Sequence, residues 1–304
     1  MTNILPQTPD CDFPYIERLK RCIMKGTQLT KGMTRMRNNV FLYHRNVNDF
    51  TKEVKKLIEI GEKYGFNVVT RPEDANIIVA VGGDGAFLQA VRYTGFRQDA
   101  IYVGFGRGLN EFYCDFDIHK LDEVDRLFSD NSARIEAGLE VRKYPLLSAS
   151  INESTPMLCL NEASIKSSII KSLAIEIYID DLHFETFRGD GMVVSTPTGS
   201  TAYNKSLAGA IVDPLIPCMQ VSEIASVNNN RYRTLGSSFI VHDSRKLSLR
   251  IVEDGNDYPI IGMDNEALSL KYTDRIDIEL SDQVVKTVKL KNNSFWHKVQ
   301  RSFF

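Results

Sequence analysis

Apolar and polar positions change their spacing repeatedly along the first half of this chain. Short apolar runs predict strands at 40–43, 67–69, 77–81 and 101–105. Between them, apolar side chains recur at helical spacing over 54–61, 87–91 and 118–128. The run IIVAV at 77–81 is continuous and β-branched, as in a parallel strand covered on both faces. Alternating strands and helices indicate βαβ units and a parallel sheet.

The pattern changes after about residue 140, where strict alternation replaces helical spacing. Alternating runs predict strands at 173–180, 246–252, 267–272, 275–280 and 284–290. A short helix is predicted at 294–304, with Phe295, Trp296, Val299 and Phe303 on one side. The predicted fold class is an α/β N-terminal domain with a parallel sheet, followed by a β-rich, mostly antiparallel C-terminal domain.

The predicted domain boundaries follow from these changes of pattern. Residues 1–37 form an N-terminal extension with no clear period, for which disorder is one interpretation. The α/β domain covers 38–140, the β-rich domain 141–292 and the final helix 293–304.

Composition narrows the partners of the protein. The chain has 304 residues, of which 43% are hydrophobic and 25% charged, and its formal net charge is −2. This charge predicts neither a nucleic-acid nor an anionic-membrane partner. The contacts to a substrate with several phosphates must therefore come from local geometry.

Cysteine usage and the absence of long apolar runs bear on location. Five cysteines at wide spacing, without a C-x-x-C, predict free thiols in a reducing compartment and no zinc site. No apolar run approaches the roughly 20 residues that span a bilayer. The first residues lack the pattern of a secretory leader, so the expected location is the cytoplasm.

A glycine-rich turn at 82–85 follows a predicted buried strand and precedes a helix. Gly82, Gly83 and Gly85 lack Cβ atoms, which lets backbone N–H groups approach a ligand, and the helix adds its partial positive charge. This arrangement predicts a phosphate loop. Asp84 within it would repel phosphate, but it suits a base that activates a hydroxyl group for phosphoryl transfer. A structural turn with a capping Asp is the alternative.

A second candidate site covers RGDGMVVSTPTGSTAYNKS at 188–206. Most of residues 195–206 carry hydroxyl or amide groups, which suit ribose and phosphate, and Tyr203 offers an aromatic plane for a base. A polar surface turn is the alternative. The chain contains no G-x-x-x-x-G-K-[ST], no complete G-x-G-x-x-G, no G-x-S-x-G and no H-E-x-x-H, which disfavours the corresponding nucleotide-binding, hydrolase and zinc-protease classes.

Three segments together resemble the NAD kinase family, in the type found in Gram-positive bacteria. They are GGDG at 82–85, NE at 161–162 and TPTGSTAYNKS at 196–206, in the order that the family has them. The resemblance covers about 40–304. GGDG alone also resembles lipid kinases and phosphofructokinases, whereas the third segment is far more specific.

The resemblance implies a cleft between the two domains, with the last residues returning to the first domain. It implies that Asp84 is the base for the 2′-hydroxyl of the adenosine ribose of NAD, with ATP or polyphosphate as the donor and Mg²⁺ carried by the donor. It implies assembly as a homodimer or homotetramer, with some site residues crossing a subunit boundary. The substrate-binding residues that it implies are Gly85, Phe112, Tyr113, Asn161, Glu162, Arg188, Asp190, Thr198, Thr201, Ala202, Tyr203, Asn204, Lys205, Ser206, Ala225, Val227 and Asn265.

Two residues depart from the family pattern. Ala86 stands where the family usually has Thr, which removes a hydroxyl group from the phosphate loop. Glu111 stands where the family usually has Gly, which adds a negative charge near a phosphate-rich ligand. Two rival hypotheses remain: a lipid or sugar kinase built on the same loop, and a protein that binds NAD(P) without catalysis.

Overall fold

The computed structural model describes residues 38–44, 50–108, 110–230, 232–252, 259–269 and 273–304. The predicted extension at 1–37 lies outside these residues, as does part of the strand predicted at 267–272. None of the helices in the described part of the chain has the length and apolar character needed to cross a bilayer.

Within the described residues, the α/β region contains five strands and four α-helices. The strands are β1 Asn39–His44, β2 Asn67–Val69, β3 Ile77–Val81, β4 Ile101–Gly106 and β5 Phe116–Asp117. The helices are α1 Thr51–Lys63, α2 Asp84–Tyr93, α3 Leu121–Ser129 and α4 Asn131–Ala137, and a 3₁₀ turn covers Pro72–Asp74. Strands β2, β1, β3, β4 and β5 pair in parallel in that order.

Burial on both faces explains the continuous apolar composition of β3, in which all five residues are buried. One face packs against α2 through Phe87 and Val91. The other face packs against the helical segments that contain Ile60 and Val124. This layering places the carboxyl ends of the parallel strands at one edge, where open α/β sheets bind their ligands.

The rest of the chain is mostly antiparallel. Its strands are β6 Leu139–Ile151, β7 Met157–Cys159, β8 Glu162–Lys166, β9 Leu173–Ile179, β10 Leu182–Gly189, β11 Gly191–Ser195, β12 Cys218–Ile224, β13 Phe239–His242, β14 Leu247–Ile251, β15 Ile260–Met263, β16 Glu266–Ser269 and β17 Arg275–Leu290. A 3₁₀ turn covers Thr198–Thr201, followed by the short helix α5 Tyr203–Ser206, and helix α6 Phe295–Phe303 ends the described chain.

These strands form two facing sheets. One sheet has the order β13-β12-β11-β8-β15-β16, and the other continues the parallel strands in the order β10-β9-β14-β17-β4-β3-β1-β2. A large apolar cluster lies between them, with Ile165 and Met192 from the first sheet and Ile177 and Leu249 from the second. The predicted alternation of β9 is visible here, because Leu173, Ile175 and Ile177 are all fully buried.

Two element predictions were wrong in their limits, and a third was wrong in its buried face. The strands predicted at 275–280 and 284–290 are one strand, β17, because a bulge between Ser281 and Val284 absorbs the polar residues without ending its pairing to β6. The helix predicted at 118–128 begins at Leu121. Trp296 is half exposed and donates its Nε1–H to Asp213 at 2.7 Å, so the buried face of α6 is narrower than predicted.

Strand β17 connects the two parts of the molecule. Most of it pairs with β6, and at Thr287 it also pairs in parallel with Tyr102 of β4. One continuous sheet therefore supports both regions, and the predicted domain boundaries stay a prediction.

Candidate active site

Strand topology brings the predicted motifs to neighbouring edges. The glycine-rich turn follows β3 at the carboxyl end of the parallel strands, and α2 begins at Asp84. Ser195, at the end of β11, pairs with Glu162, at the start of β8. Because these two strands are antiparallel, the segment 196–206 and the NE pair lie at the same end of their sheet.

Asp84 is held rigidly by backbone groups. Its Oδ2 accepts a hydrogen bond from the N–H of Phe112 at 2.7 Å, and its Oδ1 accepts one from the N–H of Tyr113 at 2.8 Å. Each carboxylate oxygen keeps a further lone pair for a substrate hydroxyl. The fixed orientation suits a general base, because proton transfer needs a donor at hydrogen-bond distance.

Tyr113 joins the glycine-rich turn to the NE pair. Its hydroxyl donates to Oδ1 of Asn161 at 2.5 Å, and its ring stacks on Phe87 with 5.1 Å between centroids. The ring of Tyr113 is only 3% exposed, whereas Phe112 is half-buried against Phe295 and Phe303 of α6. Of these two predicted substrate-binding residues, Phe112 is therefore the one with surface left for a ligand.

The NE pair is anchored by Asp264, at the turn after β15. The backbone N–H groups of Leu160, Asn161 and Glu162 all donate to its carboxylate, at 2.9, 2.6 and 3.2 Å. Asn161 and Glu162 are both 8% exposed. Burial, with the nearby charge of Asp264 as the second cause, raises the pKa of Glu162 to about 8. Glu162 at neutral pH is thus a carboxylic acid that can donate as well as accept a hydrogen bond.

The hydroxyl-rich segment is anchored to the same edge. Thr196 donates to the carbonyl of Leu160 at 2.7 Å and lies 3.0 Å from the hydroxyl of Thr198. Thr201 donates to the carbonyl of Thr198 at 3.1 Å. Thr196, Thr198 and Ser200 are buried, and their hydroxyl groups bond to carbonyls of the protein. These side chains therefore fix the conformation of the turn, and Thr201, which is half-buried, is nearer the surface.

The side chains that follow Thr201 face different surroundings. Asn204 is fully buried, where its amide donates to the carbonyls of Ser200 and Ala210 and accepts from Ser222. The ammonium of Lys166 lies 4.3 Å from the ring centre of Tyr203, and that of Lys205 lies 4.3 Å from the ring centre of Phe303. Ala202 and Tyr203 are half-buried and Ser206 is exposed.

A second group of predicted residues gathers beside Lys166. Asp190 is exposed and lines a cleft together with Lys166, Ser172 and Ile224. Arg188 donates from Nε to the hydroxyl of Ser172 at 3.1 Å. Its backbone carbonyl accepts from Val227 at 2.7 Å, and Ala225 follows directly after β12. Asn265 lies apart from this group, exposed in the turn after β15.

Sequence reasoning missed a buried charge cluster behind Asp84. Lys289 of β17 and Lys298 of α6 are 0% and 1% exposed, and both form ion pairs with Asp115, which lies in the same segment as Phe112 and Tyr113. Lys289 donates to the carbonyls of Phe112 at 2.9 Å and Tyr113 at 2.6 Å, and Lys298 donates to that of Phe112 at 3.0 Å.

This cluster acts on Asp84 through one peptide group. The carbonyl of Phe112 accepts hydrogen bonds from the ammonium groups of both lysines. This carbonyl belongs to the same peptide group as the N–H of Tyr113, which donates to Asp84. The two cations therefore polarise and fix a group that holds the carboxylate. Burial would raise the pKa of Asp115, but the two lysines lower it below its usual value. Burial and the neighbouring Lys289 lower the pKa of Lys298 to about 8.

Fold and site together define a class: a phosphotransferase with a clamped carboxylate, Asp84, on a glycine-rich turn at the edge of a parallel sheet, and with a hydroxyl-rich loop contributed by an antiparallel sheet. The family described as ATP-NAD kinase C-terminal domain matches residues 160–290. NAD kinase 2 of Bacillus subtilis (strain 168) is 56% identical over 272 residues, covering 89% of this chain and 100% of that protein. NAD kinase 2 of Geobacillus kaustophilus (strain HTA426) is 55% identical over 271 residues, covering 88% and 98%. The chain therefore belongs to the NAD kinase family.

Solved structures show the same fold at low sequence identity. The crystal structure of an NAD kinase from Archaeoglobus fulgidus in complex with ATP matches with a TM-score of 0.67 at 22% identity, covering 88% of this chain and 100% of that one. Yeast NADH kinase complexed with NADH matches with a TM-score of 0.69 at 19% identity, covering 86% of each chain. The predicted fold class and family resemblance are confirmed.

Proposed function

We propose that this protein transfers a phosphoryl group from ATP or polyphosphate to the 2′-hydroxyl of the adenosine ribose of NAD and so forms NADP. The observation that carries the proposal is the clamp on Asp84, whose carboxylate is fixed beside the glycine-rich turn and is joined to Asn161 through Tyr113. The relatives named NAD kinase 2, above 50% identity over most of the chain, support the choice of acceptor.

The proposed chemistry is an in-line phosphoryl transfer. Asp84 accepts the proton of the ribose hydroxyl, whose oxygen forms a bond to the terminal phosphorus of the donor. The bond between that phosphorus and the bridging oxygen breaks, and the shortened donor leaves. Positioning and charge neutralisation carry most of the rate acceleration in such reactions. Mg²⁺ enters with the donor as part of the substrate and neutralises its phosphate charge.

The remaining roles follow the geometry of the two sheets. Asn161 and Glu162 hold the ribose, and Gly85 lines the phosphates with Gly82 and Gly83.

The loop containing Thr198, Thr201 and Tyr203 lines the adenosine half, where Ala202, Lys205 and Ser206 complete the surface. Asn204 contributes by holding this loop in shape, because its amide is already bonded within the protein.

The cleft of Lys166 and Asp190 suits the nicotinamide end of NAD. We place Asp190, Arg188, Ala225 and Val227 there, because backbone and side-chain contacts bring these four residues together. In this proposal the cleft is completed across a subunit boundary in a homodimer or homotetramer, and the protein works in the cytoplasm. Asn265, which lies apart from this cleft, contacts the substrate near the NE pair, because it follows Asp264.

The direct test measures NADP formation by the purified protein from NAD, Mg²⁺ and either ATP or polyphosphate. NADP with at least one donor supports the proposal. Binding of NAD without turnover with either donor would favour the NAD(P)-binding alternative, and phosphorylation of a lipid in place of NAD would favour the lipid-kinase alternative.

A further inference from the structure

The side chain of Glu111 fills the space beside the glycine-rich turn. Its Oε1 accepts a hydrogen bond from the backbone N–H of Arg107 at 3.1 Å. A Cβ atom on Gly106 would lie 2.7 Å from that oxygen, and a Cβ atom on Gly83 would overlap the same carboxylate. Side chains do not pack this closely. The carboxylate of Glu111 therefore occupies space that is free only because Gly83 and Gly106 have no Cβ atom.

The negative charge of the Glu111 carboxylate is only partly offset by hydrogen bonds in this position. Its Oε2 is buried and has no hydrogen bond of normal geometry within the described part of the chain. Burial first, and the neighbouring Asp84 second, raise the pKa of Glu111, while the N–H groups of Arg107 and Asp84 and the thiol of Cys114 act in the opposite direction. An incompletely paired buried charge costs free energy. The side chain can therefore be displaced, but only by a donor whose own contacts offset the hydrogen bond that Oε1 makes with Arg107.

A phosphate group of the donor would bind where the Glu111 carboxylate lies. N–H groups at a glycine-rich turn and at the start of a helix bind anions, and phosphate is the commonest of them. The Glu111 carboxylate carries the same sign of charge and the same kind of acceptor oxygen. It already faces the first N–H of α2 and the N–H of Arg107. A donor phosphate and this carboxylate cannot occupy the position together.

We propose that Glu111 determines donor selectivity: its carboxylate occupies a phosphate position at the glycine-rich turn, and a donor has to displace it, which favours a nucleoside triphosphate over polyphosphate. The inference rests on the proposed kinase function. The free energy of displacement must come from other contacts of the donor. A nucleoside triphosphate gains it through base and ribose, whereas polyphosphate offers only further negative charge beside Asp84 and Glu111.

The test compares Glu111→Ala, which removes the group, and Glu111→Gln, which removes its charge, with Glu123→Gln on the exposed surface of α3 as the matched control. At saturating NAD, we expect kcat/KM for polyphosphate to rise about tenfold in both Glu111 variants and kcat/KM for ATP to rise about threefold or less, as expected when a repulsive element is removed. The KM for NAD stays unchanged, and Glu123→Gln behaves as the wild type.

A second measurement does not depend on turnover. Calorimetric titration with Mg²⁺ and inorganic tripolyphosphate, without NAD, should show tighter binding in Glu111→Ala than in the wild type. Unchanged or weaker binding and an unchanged ratio of donor efficiencies, in variants with wild-type melting temperatures, would overturn the inference. Failure of the kinase function itself is distinct, because the wild type would then form no NADP with either donor.

Discussion

At the scale of single residues, the site is built from acidic groups whose environments differ. Asp84 is oriented by two backbone N–H groups and keeps a lone pair for a substrate hydroxyl. Asp264 accepts three backbone N–H groups and fixes the NE pair. Glu162 is buried beside Asp264 and is protonated at neutral pH. Environment rather than residue type thus separates the proposed base, an anchor and a hydrogen-bond donor.

The protonation of Glu162 predicts a pH-dependent stability. Its pKa rises from the ordinary value of 4.5 to about 8 on folding, so between these values the folded protein binds one proton more than the unfolded chain. The contribution of this group to stability is complete below 4.5 and is lost as the pH rises through 8, with a slope of at most about 1.4 kcal/mol per pH unit. Urea denaturation from pH 5 to 8 should show a flatter pH dependence for Glu162→Gln than for the wild type. An identical slope in both proteins would mean that Glu162 is ionised in the fold.

At the scale of elements, helix α6 completes the site from the far end of the chain. Its Phe295 and Phe303 pack on Phe112, and its Lys298 contacts the segment that holds Asp84. Strand β17 supplies Lys289 to the same segment. The last 30 residues of the chain therefore position the carboxylate of Asp84, the proposed base.

Replacing Lys298 tests this positioning role. In Lys298→Met, we expect kcat to fall roughly 10- to 100-fold with little change in the KM for NAD, because small displacements of a catalytic group are costly. The exposed Gln300→Met on the same helix should behave as the wild type. Steady-state kinetics at a temperature where all variants are folded gives both constants.

A double variant separates positioning from a general loss of structure. If Lys298 acts through Asp84, then Lys298→Met should change the residual kcat of Asp84→Asn by less than about twofold, since coupled residues are not additive. A loss of the same factor in both backgrounds would assign Lys298 a purely structural role.

An element could be predicted from the sequence where its apolar residues follow a regular spacing and its surroundings are the same along its whole length. Strand β3 was predicted because both faces are buried, and β9 because alternate residues are. Lys298 could not be predicted, since lysine is ordinarily exposed and only the tertiary structure brings the Asp115 carboxylate and the carbonyls of Phe112 and Cys114 to it. The segments around Asp84 and Thr198 were found from their glycine-rich and hydroxyl-rich composition, and the segment around Asn161 through the family resemblance. The position of the Glu111 carboxylate, in contrast, depends on the conformation of its loop.

At the scale of the whole molecule, one side chain of α2 ties the glycine-rich turn to the antiparallel sheet. Nη2 of Arg92 donates to the carbonyls of Leu158 at 3.2 Å and Met263 at 3.0 Å, and it lies 3.4 Å from Oδ2 of Asp264. Together with the hydrogen bond between Tyr113 and Asn161, the contacts of Arg92 fix the distance between the carboxylate of Asp84 and the NE pair. The two regions hold the site as a unit.

Removing this tie should destabilise the protein. Arg92→Met loses hydrogen bonds from a charged donor and should lower the free energy of unfolding by about 1.5–3 kcal/mol. Lys56→Met is the matched control, because its ion pair with Asp122 is exposed and is worth at most about 1 kcal/mol. Equal effects of the two substitutions in chemical denaturation would show that Arg92 does not connect the regions.

The proposed role of Asp84 as the base of an NAD kinase is tested most directly by NADP formation in Asp84→Asn beside the wild type, with NAD binding measured on both proteins. We expect turnover from NAD, ATP and Mg²⁺ to fall by about 10²–10⁴ in the variant, the usual contribution of a general base, while NAD still binds. Near-normal turnover in Asp84→Asn would contradict the account, because the clamped carboxylate would then have no part in the chemistry.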